Sequence, residues 1–439
     1  MSKEKIKFYK NKHFYINIAV GLLITIASHF IENTRFGIKN LDYIFDFYIK
    51  QESLHAQETT YELGVNKNLS RDLVFIDYNY EKYKEWNYPI LTPRTEIARD
   101  LFVADSCGAK IIVLDFLLDK EDCCNPRGDD SLKNVLQLIS QNKKTIVVFS
   151  VLIGVDKKIK PGILDEIINQ NNNFYRALPF VVTSSHDGMV RYSGNYDYYL
   201  DNNETGKTVI KKLYAIPELV SKLINNVDIH GEKLLGTEEE LNTKKISEIN
   251  ELSAVQNEDD KLLYERRIRF FIIPDKPGLS PRTGNLPLEQ YFTPDNIIPE
   301  NLKNKIVLIG SSNPESGDYH YTPIGFIPGM YVLGNVINTE IMNLYPRQIS
   351  DFLKYLIELL IIVFSAYVFI CTDIFKARYI TSILLLLILG FINWLIFFKY
   401  GIFINFILPV IGMRSHAFIG NIERWFTPGH KQELSVSSE

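Results

Sequence analysis

The sequence predicts an α/β domain with a mixed, partly parallel sheet and flanking helices, joined to α-helical membrane segments. Three observations predict it. Long apolar runs lie at the two ends of the chain, while polar residues fill the middle. The middle alternates short, continuous apolar runs with stretches of helical period, the pattern of strands covered on both faces. Finally, Asn304 to Ile341 reads as a buried strand, a Gly/Ser/Asp loop and a helix, ending shortly before the next long apolar run.

The first apolar run, Phe14–Ile31, approaches the roughly 20 residues that cross a bilayer. Lysines precede it, and Glu32, Asn33, Thr34 and Arg35 follow in place of a small-residue cleavage site. It reads as an uncleaved anchor, with a signal peptide as the alternative. Three further runs follow: Phe352–Phe375, Tyr379–Phe398 and Ile402–Ile422. Arg414 and His416 interrupt the last one, so a hairpin of two C-terminal spans is its alternative. Lysines stand before the first span, Lys376 and Arg378 between the second and third, and Arg414, Arg424 and Lys431 near the end. By the positive-inside rule, residues 1–13 and 423–439 are expected in the cytoplasm and residues 32–351 outside the cell (inner) membrane.

The 439 residues allow one large domain or two ordinary ones, and a net charge of −4 gives no basic excess for a nucleic-acid partner. Within the outer region, Ile38–Gln57 carries Leu41, Ile44, Phe45 and Tyr48 at helical spacing and reads as a helix packed on the domain. Asp72–Tyr78 is a strand. Thr92 and Pro93 signal a helix start, with Thr92 as cap; Ile97, Leu101 and Ala104 form its inner face and Gly108 its end. Lys110–Asp119 is a second strand, completing a βαβ unit. Asp130–Asn142 is a helix and Thr145–Leu152 a third strand. Pro179–Ser193 reads as two strands around His186-Asp187-Gly188, with His186 a solvated turn residue. Pro217–Ile224 begins another helix. Asp228–Lys261 is polar, acidic and aperiodic, the mark of a mobile insertion. Arg266–Ile273 and Lys305–Gly310 are strands, and Gly329–Asn343 is the last helix of the domain.

Ligands of open parallel sheets bind at the carboxyl ends of the strands. Three strands here end in polar residues: Asp77, Asp115 and the pair Ser311-Ser312. Arg94, Asp119, Asp318 and His320 are placed to join them. Two close carboxylates can hold a cation or share a proton, whereas an aspartate at a strand end also serves simply as a cap. The loop from Gly310 to Gly317 lacks the Lys-Ser/Thr of a phosphate-binding P-loop and does not match GxGxxG. No GxSxG or HExxH occurs, no Cys/His array suggests a metal, and no cofactor is expected. Cys107, Cys123 and Cys124 fall in the outer region, where one bridge from Cys107 to either of the others, or three free thiols, both stay open. Cys371 lies at the inner end of a span.

Jointly, the segments DLVFIDYN, TPRTEIARDLFVADSCGAKIIVLDFLL, LPFVVTSSHDGMVR and NKIVLIGSSNPESGDYHYTPIGFIPGMYVLGNVINTEI resemble the second class of CHASE domain. That is an extracellular sensory module attached to cyclases and histidine kinases, typically followed by three membrane spans. The usual Gly-Lys opening of the last strand is Asn304-Lys305 here, and the Asp228–Lys261 insertion is large. Family members often carry a kinase or cyclase domain after the last span. Residues 423–439 are too few for one. The resemblance therefore implies a sensor of an unidentified extracytoplasmic ligand that signals through a separate effector protein, with pairing to a second copy left open. The alternatives are a membrane-anchored enzyme using the Asp77/Asp115/Asp318 edge and a structural subunit of a membrane complex.

Overall fold

The computed structural model describes residues 12–32, 34–63, 67–89, 91–122, 125–184, 186–202, 208–226, 266–272, 286–287, 289–371 and 375–404. The expected insertion at Asp228–Lys261, and Cys123 and Cys124, lie outside them. The chain divides into two compact units, Met1–Phe45 with Arg347–Glu439, and Asp46–Pro346.

The helices in chain order are α1 (Lys12–Glu32), α2 (Arg35–Leu63), α3 (Tyr80–Glu85), α4 (Arg94–Ser106), α5 (Pro126–Asn142), α6 (Asp165–Asn169), α7 (Ile216–Ile224), α8 (Gly329–Ile341), α9 (Asp351–Cys371) and α10 (Phe375–Tyr400). The strands are β1 (Leu73–Asp77), β2 (Ile111–Leu114), β3 (Ile146–Ser150), β4 (Phe174–Ala177), β5 (Val181–Thr183), β6 (Val190–Ser193), β7 (Tyr196–Asn202), β8 (Thr208–Tyr214), β9 (Tyr291–Phe292), β10 (Ile306–Gly310), β11 (Tyr319–Thr322), β12 (Gly325–Pro328), β13 (Arg347–Gln348) and β14 (Ile402–Phe403).

The Asp46–Pro346 unit is built on a six-stranded sheet in the order β4-β3-β2-β10-β1-β9. Every pairing in it is parallel. The parallel centre expected from sequence is there; antiparallel pairing is confined to separate hairpins such as β5–β6, β7–β8 and β11–β12. The three central strands are LVFID, IIVL and IVLIG, buried at every position. That burial explains their unbroken apolar sequence. Ile97, Leu101, Leu132, Leu136 and Ile139 of α4 and α5 pack on one face against Ile76, Ile112 and Ile309. On the other face α8 lies close, because a Cβ on Gly334 would come within 2.6 Å of the Phe75 ring.

Several expected boundaries move for physical reasons. Strand β2 stops at Leu114 rather than running to Asp119; the Asp115 amide still bonds the Ile309 carbonyl at 2.9 Å, but no ladder continues. Helix α4 starts at Arg94, and Thr92 does not cap it, since its hydroxyl is bonded to that of Tyr83. Helix α5 starts early, at Pro126, following the preference of proline for a first turn. His186 is not simply solvated: its Nδ1 sits 2.6 Å from the Ser184 hydroxyl.

The largest correction concerns Arg266–Ile273. Its described part is extended but joins no sheet, making one bridge, Arg267 to Tyr192. Arg266 and Ile268 bond the β6 backbone, at Ser193 and Arg191, whereas Arg269, Phe271 and Ile272 are bonded by side chains of α8. The Asn335 Oδ1 accepts from the amides of Phe271 and Ile272 at 2.7 and 2.8 Å, and its Nδ2 donates to the Ile272 carbonyl at 2.9 Å. The Arg269 amide donates to the Thr339 hydroxyl at 3.2 Å. An asparagine thus replaces a neighbouring strand. The segment also anchors the outer half of α2: Arg269 Nε donates to Glu52 at 2.9 Å, and Ser53 bonds the Phe270 carbonyl. Nearby, Arg191 is fully buried and bonds both Asp46 of α2 and Asp187 of the β5–β6 turn.

The other unit contains α1, the start of α2, α9, α10 and the short parallel pair β13–β14. Gly21 of α1 meets α9 so closely that a Cβ would lie 2.7 Å from Ile362. The Phe45 ring packs on Phe397 and Phe403. Among the described residues one helix, over Ile383–Tyr400, is long and apolar enough to cross a membrane. The expected span at Ile402–Ile422 begins instead with strand β14, and its residues from 405 onward lie outside the described set.

Replacing Asn335 with leucine strands two amides and one carbonyl in the interior. The variant should lose about 2–4 kcal/mol of stability, read as a lower denaturation midpoint, with Asn335→Ala behaving alike.

Candidate functional site

The strand order places β10 between β1 and β2, so the ends of all three meet at one edge. Asp77 pairs with Gly310 in register, and Asp115 follows Leu114, the partner of Ile309. A cavity of about 470 Å³ opens there, within the range of small-molecule pockets. Arg94, Asp115, Ser311, Asp318 and His320 line it, along with Ser150 at the end of β3.

The two strand-end aspartates have different fates. Asp77 is fully buried and outside the cavity lining. It accepts from the hydroxyls of Tyr291 (2.9 Å), Tyr331 (2.6 Å) and Ser312 (2.7 Å) and from the Ser312 amide (2.9 Å). Burial pushes its carboxyl up, and these donors pull it back. Asp77 and Ser312, both expected among ligand contacts, are therefore spent on holding the fold. The Asp77/Asp115/Asp318 edge does not present three carboxylates together. The Ser311 hydroxyl reaches the cavity wall but donates to the Tyr78 carbonyl at 2.9 Å. Asp119 lines a smaller neighbouring cavity of about 30 Å³.

Asp115 is the opposite case. It is half-buried, and among the described residues no group donates a hydrogen bond to its carboxylate. Burial, and then the charge of Asp318, push its carboxyl up to about 7, against a downward pull from His320. Asp318 bonds His320 Nε2 through Oδ1 at 3.0 Å, and this bond raises the imidazole above its usual value. The Asp318 carboxylate also lies against the first residue of α8. A Cβ on Gly329 would sit 2.0 Å from its Oδ2, and the Gly329 amide donates to its main-chain carbonyl at 2.8 Å. A carboxylate at a helix N-terminus is favoured by the helix dipole. Gly310 gives Asp115 similar room, since its Cβ would lie 3.2 Å from the Asp115 Cβ.

Arg94 forms another wall. It is 3% exposed, and its Nε lies 3.7 Å from Asp129 Oδ1. Burial pulls its guanidinium below the usual value, against the upward pulls of Asp129, Asp122 and Asp119. Among the described residues no group of three or more His, Cys, Asp or Glu is placed to hold a metal ion. The Cys107 thiol is free and half-buried, and burial pushes it up.

Sequence reasoning missed Tyr331 and Tyr291, whose hydroxyls close off Asp77. The sequence hint was a tyrosine in the apolar first turns of a helix, where a buried hydroxyl requires a partner.

Because the folded Asp115 holds its proton to about pH 7, it binds more protons folded than unfolded between roughly pH 4 and 7. Its contribution to stability therefore falls as pH rises through that window and is flat above it. Asp115→Asn should melt with the parent near pH 4 and higher than the parent at pH 8, by about 1–2 kcal/mol. Gly329→Ala should displace Asp318, lower the His320 pKa toward its ordinary value, and be visible in an imidazole NMR titration.

No curated protein and no solved structure matches the chain. One family profile does, the CHASE2 domain, over residues 20–371. CHASE2 is an extracellular sensory domain family. With its parallel sheet, its carboxyl-edge cavity and a family profile running through most of its length, the chain belongs to the CHASE2 domain family.

Proposed function

We propose that the chain is a multi-pass membrane sensor. Its outer domain receives a small extracytoplasmic ligand in the carboxyl-edge cavity and passes the signal to a separate cytoplasmic protein. The observation that carries this reading is the cavity itself: its wall holds Asp115, a carboxylate with no hydrogen-bond donor among the described residues, beside the Asp318–His320 pair. Perturbed groups in a concave site at the carboxyl edge of a parallel sheet are the physical signature of ligand binding.

Support for the membrane part comes from the apolar helix Ile383–Tyr400 and from large apolar side chains standing exposed on α9 and α10, among them Phe352, Leu360, Leu387 and Phe391. The positive charges of the sequence favour both termini inside and 32–351 outside. The turn near Lys376 and Arg378 is the proposed contact with the effector. Spans at 14–31, 352–375, 379–398 and 402–422 belong to this proposal.

Gentle extraction from the native membrane should recover the chain with a signalling enzyme, identified by mass spectrometry; a chain recovered alone each time would contradict signalling in trans. A reporter fused within 228–261 should be active only outside the cytoplasm. Screening the purified full chain against a small-molecule library by thermal shift should find saturable binders. Leu117→Trp fills the cavity from an exposed position and should abolish their effect. A screen with no binder sensitive to Leu117→Trp would remove the cavity as the ligand site.

A further inference from the structure

Two opposite charges on this cavity have unmet hydrogen-bonding capacity. Arg94 carries five N–H donors in a planar fork. Among the described residues it makes one hydrogen bond, a long one from Nη2 to the Lys120 carbonyl at 3.5 Å. Among the described residues its Nε is buried without a hydrogen-bond partner, and so is the Asp129 Oδ1 that faces it. Asp119, Asp122 and Asp129 balance the charge of Arg94 without satisfying its donors. A guanidinium only 3% exposed and lining a cavity normally has its donors filled, so the fork is set for an acceptor that enters from the cavity. A carboxylate matches it in two-point fashion. Asp115 offers the complement. Its carboxylate accepts from no described residue, and the Asp318 carboxylate stands near enough to push it up electrostatically.

We propose that the ligand is a small zwitterion of the amino-acid class, with its ammonium group between Asp115 and Asp318 and its carboxylate on Arg94. This rests on the reading of the cavity as the ligand site. An anion without an amine would leave Asp115 without a donor among the described residues. An amine without a carboxylate would leave the Arg94 fork unfilled. A metal ion lacks the three-ligand cluster it needs among the described residues. The cavity volume of about 470 Å³ admits a ligand of this size, and Leu91, Phe116, Leu152 and Val332 among its lining residues suit an apolar side chain.

The test uses the full chain in detergent and isothermal titration with free amino acids. For the best binder, the decarboxylated amine and the deaminated acid are titrated as well. At least one amino acid should bind saturably, and each truncated analogue should bind more than tenfold more weakly. Asp115→Asn and Arg94→Lys should each weaken binding by at least tenfold. Asp115→Asn keeps the test sound if the Arg94 variant fails to fold, because among the described residues no hydrogen bond depends on that carboxylate. Equal binding of the amine or the acid alone overturns the zwitterion while leaving the cavity in place. So does a panel of amino acids that all fail while library compounds still bind in a manner abolished by Leu117→Trp. If nothing binds at all, both the ligand class and the cavity reading fall.

Discussion

A carboxylate buried without a cation beside it holds this domain together. Asp77 ends the central strand β1 in complete burial, and a lone charge in such a place costs several kcal/mol. Four donors offset that cost, each worth about 1.5–3 kcal/mol to a charged acceptor. They come from three separate parts of the chain: Tyr291 on β9, Ser312 after β10 and Tyr331 on α8. One atom group thus ties the edge strand, the centre of the sheet and the covering helix to one point. The knot also fixes the rotation of α8 about its axis. With Tyr331 turned to Asp77, Asn335 and Thr339, one and two turns on, share its face. That face is what the 266–272 segment uses in place of a strand. The same rotation presents Gly329 to Asp318, where the helix start meets the cavity wall.

How much of this was legible in the sequence follows from where each partner comes from. Strands β1, β2, β3 and β10 were readable because each is covered on both faces and carries an unbroken apolar run. Strand β4, FYRA, is at an edge and only partly buried, so it carries no such run; β9 has two residues. The stretch RRIRFFII has the composition of a strand, yet its described residues, 266–272, make one bridge and join no named strand. Composition reports extended, buried backbone and does not report who bonds it. Here the bonds at Phe271 and Ile272 come from an asparagine more than sixty positions away. Asp77 and Asp115 looked alike for the same reason. Both end an apolar strand, and only distant tyrosines decide that one is sealed and the other faces the cavity. Arg94, Asp318 and His320 were legible as neighbours of strand ends, which the parallel topology turns into a shared edge.

The contacts beyond the cavity give the site mechanical reach within its unit. Asp318 meets the first turn of α8 through its carboxylate against Gly329 and through the bond from the Gly329 amide to its main-chain carbonyl. Helix α8 is buried along nearly its whole length, and close-packed interiors transmit displacement rather than dissipate it. Its Asn335 and Thr339 grip the 266–272 segment through four hydrogen bonds that must move together or break. That segment holds α2 through Arg269 to Glu52 and through Ser53 to the Phe270 carbonyl. The ion pair resists separation, because parting it would leave Arg269, already drawn down to about 10 by burial, without its carboxylate. From Asn335 to Glu52 the links are polar, buried and directional, so each has one favoured arrangement and a steep cost for departing from it. Helix α2 is continuous from Arg35 to Leu63. The C-terminal half of α2 is therefore tied through the 266–272 segment to α8, the helix whose first residue meets Asp318 at the cavity wall.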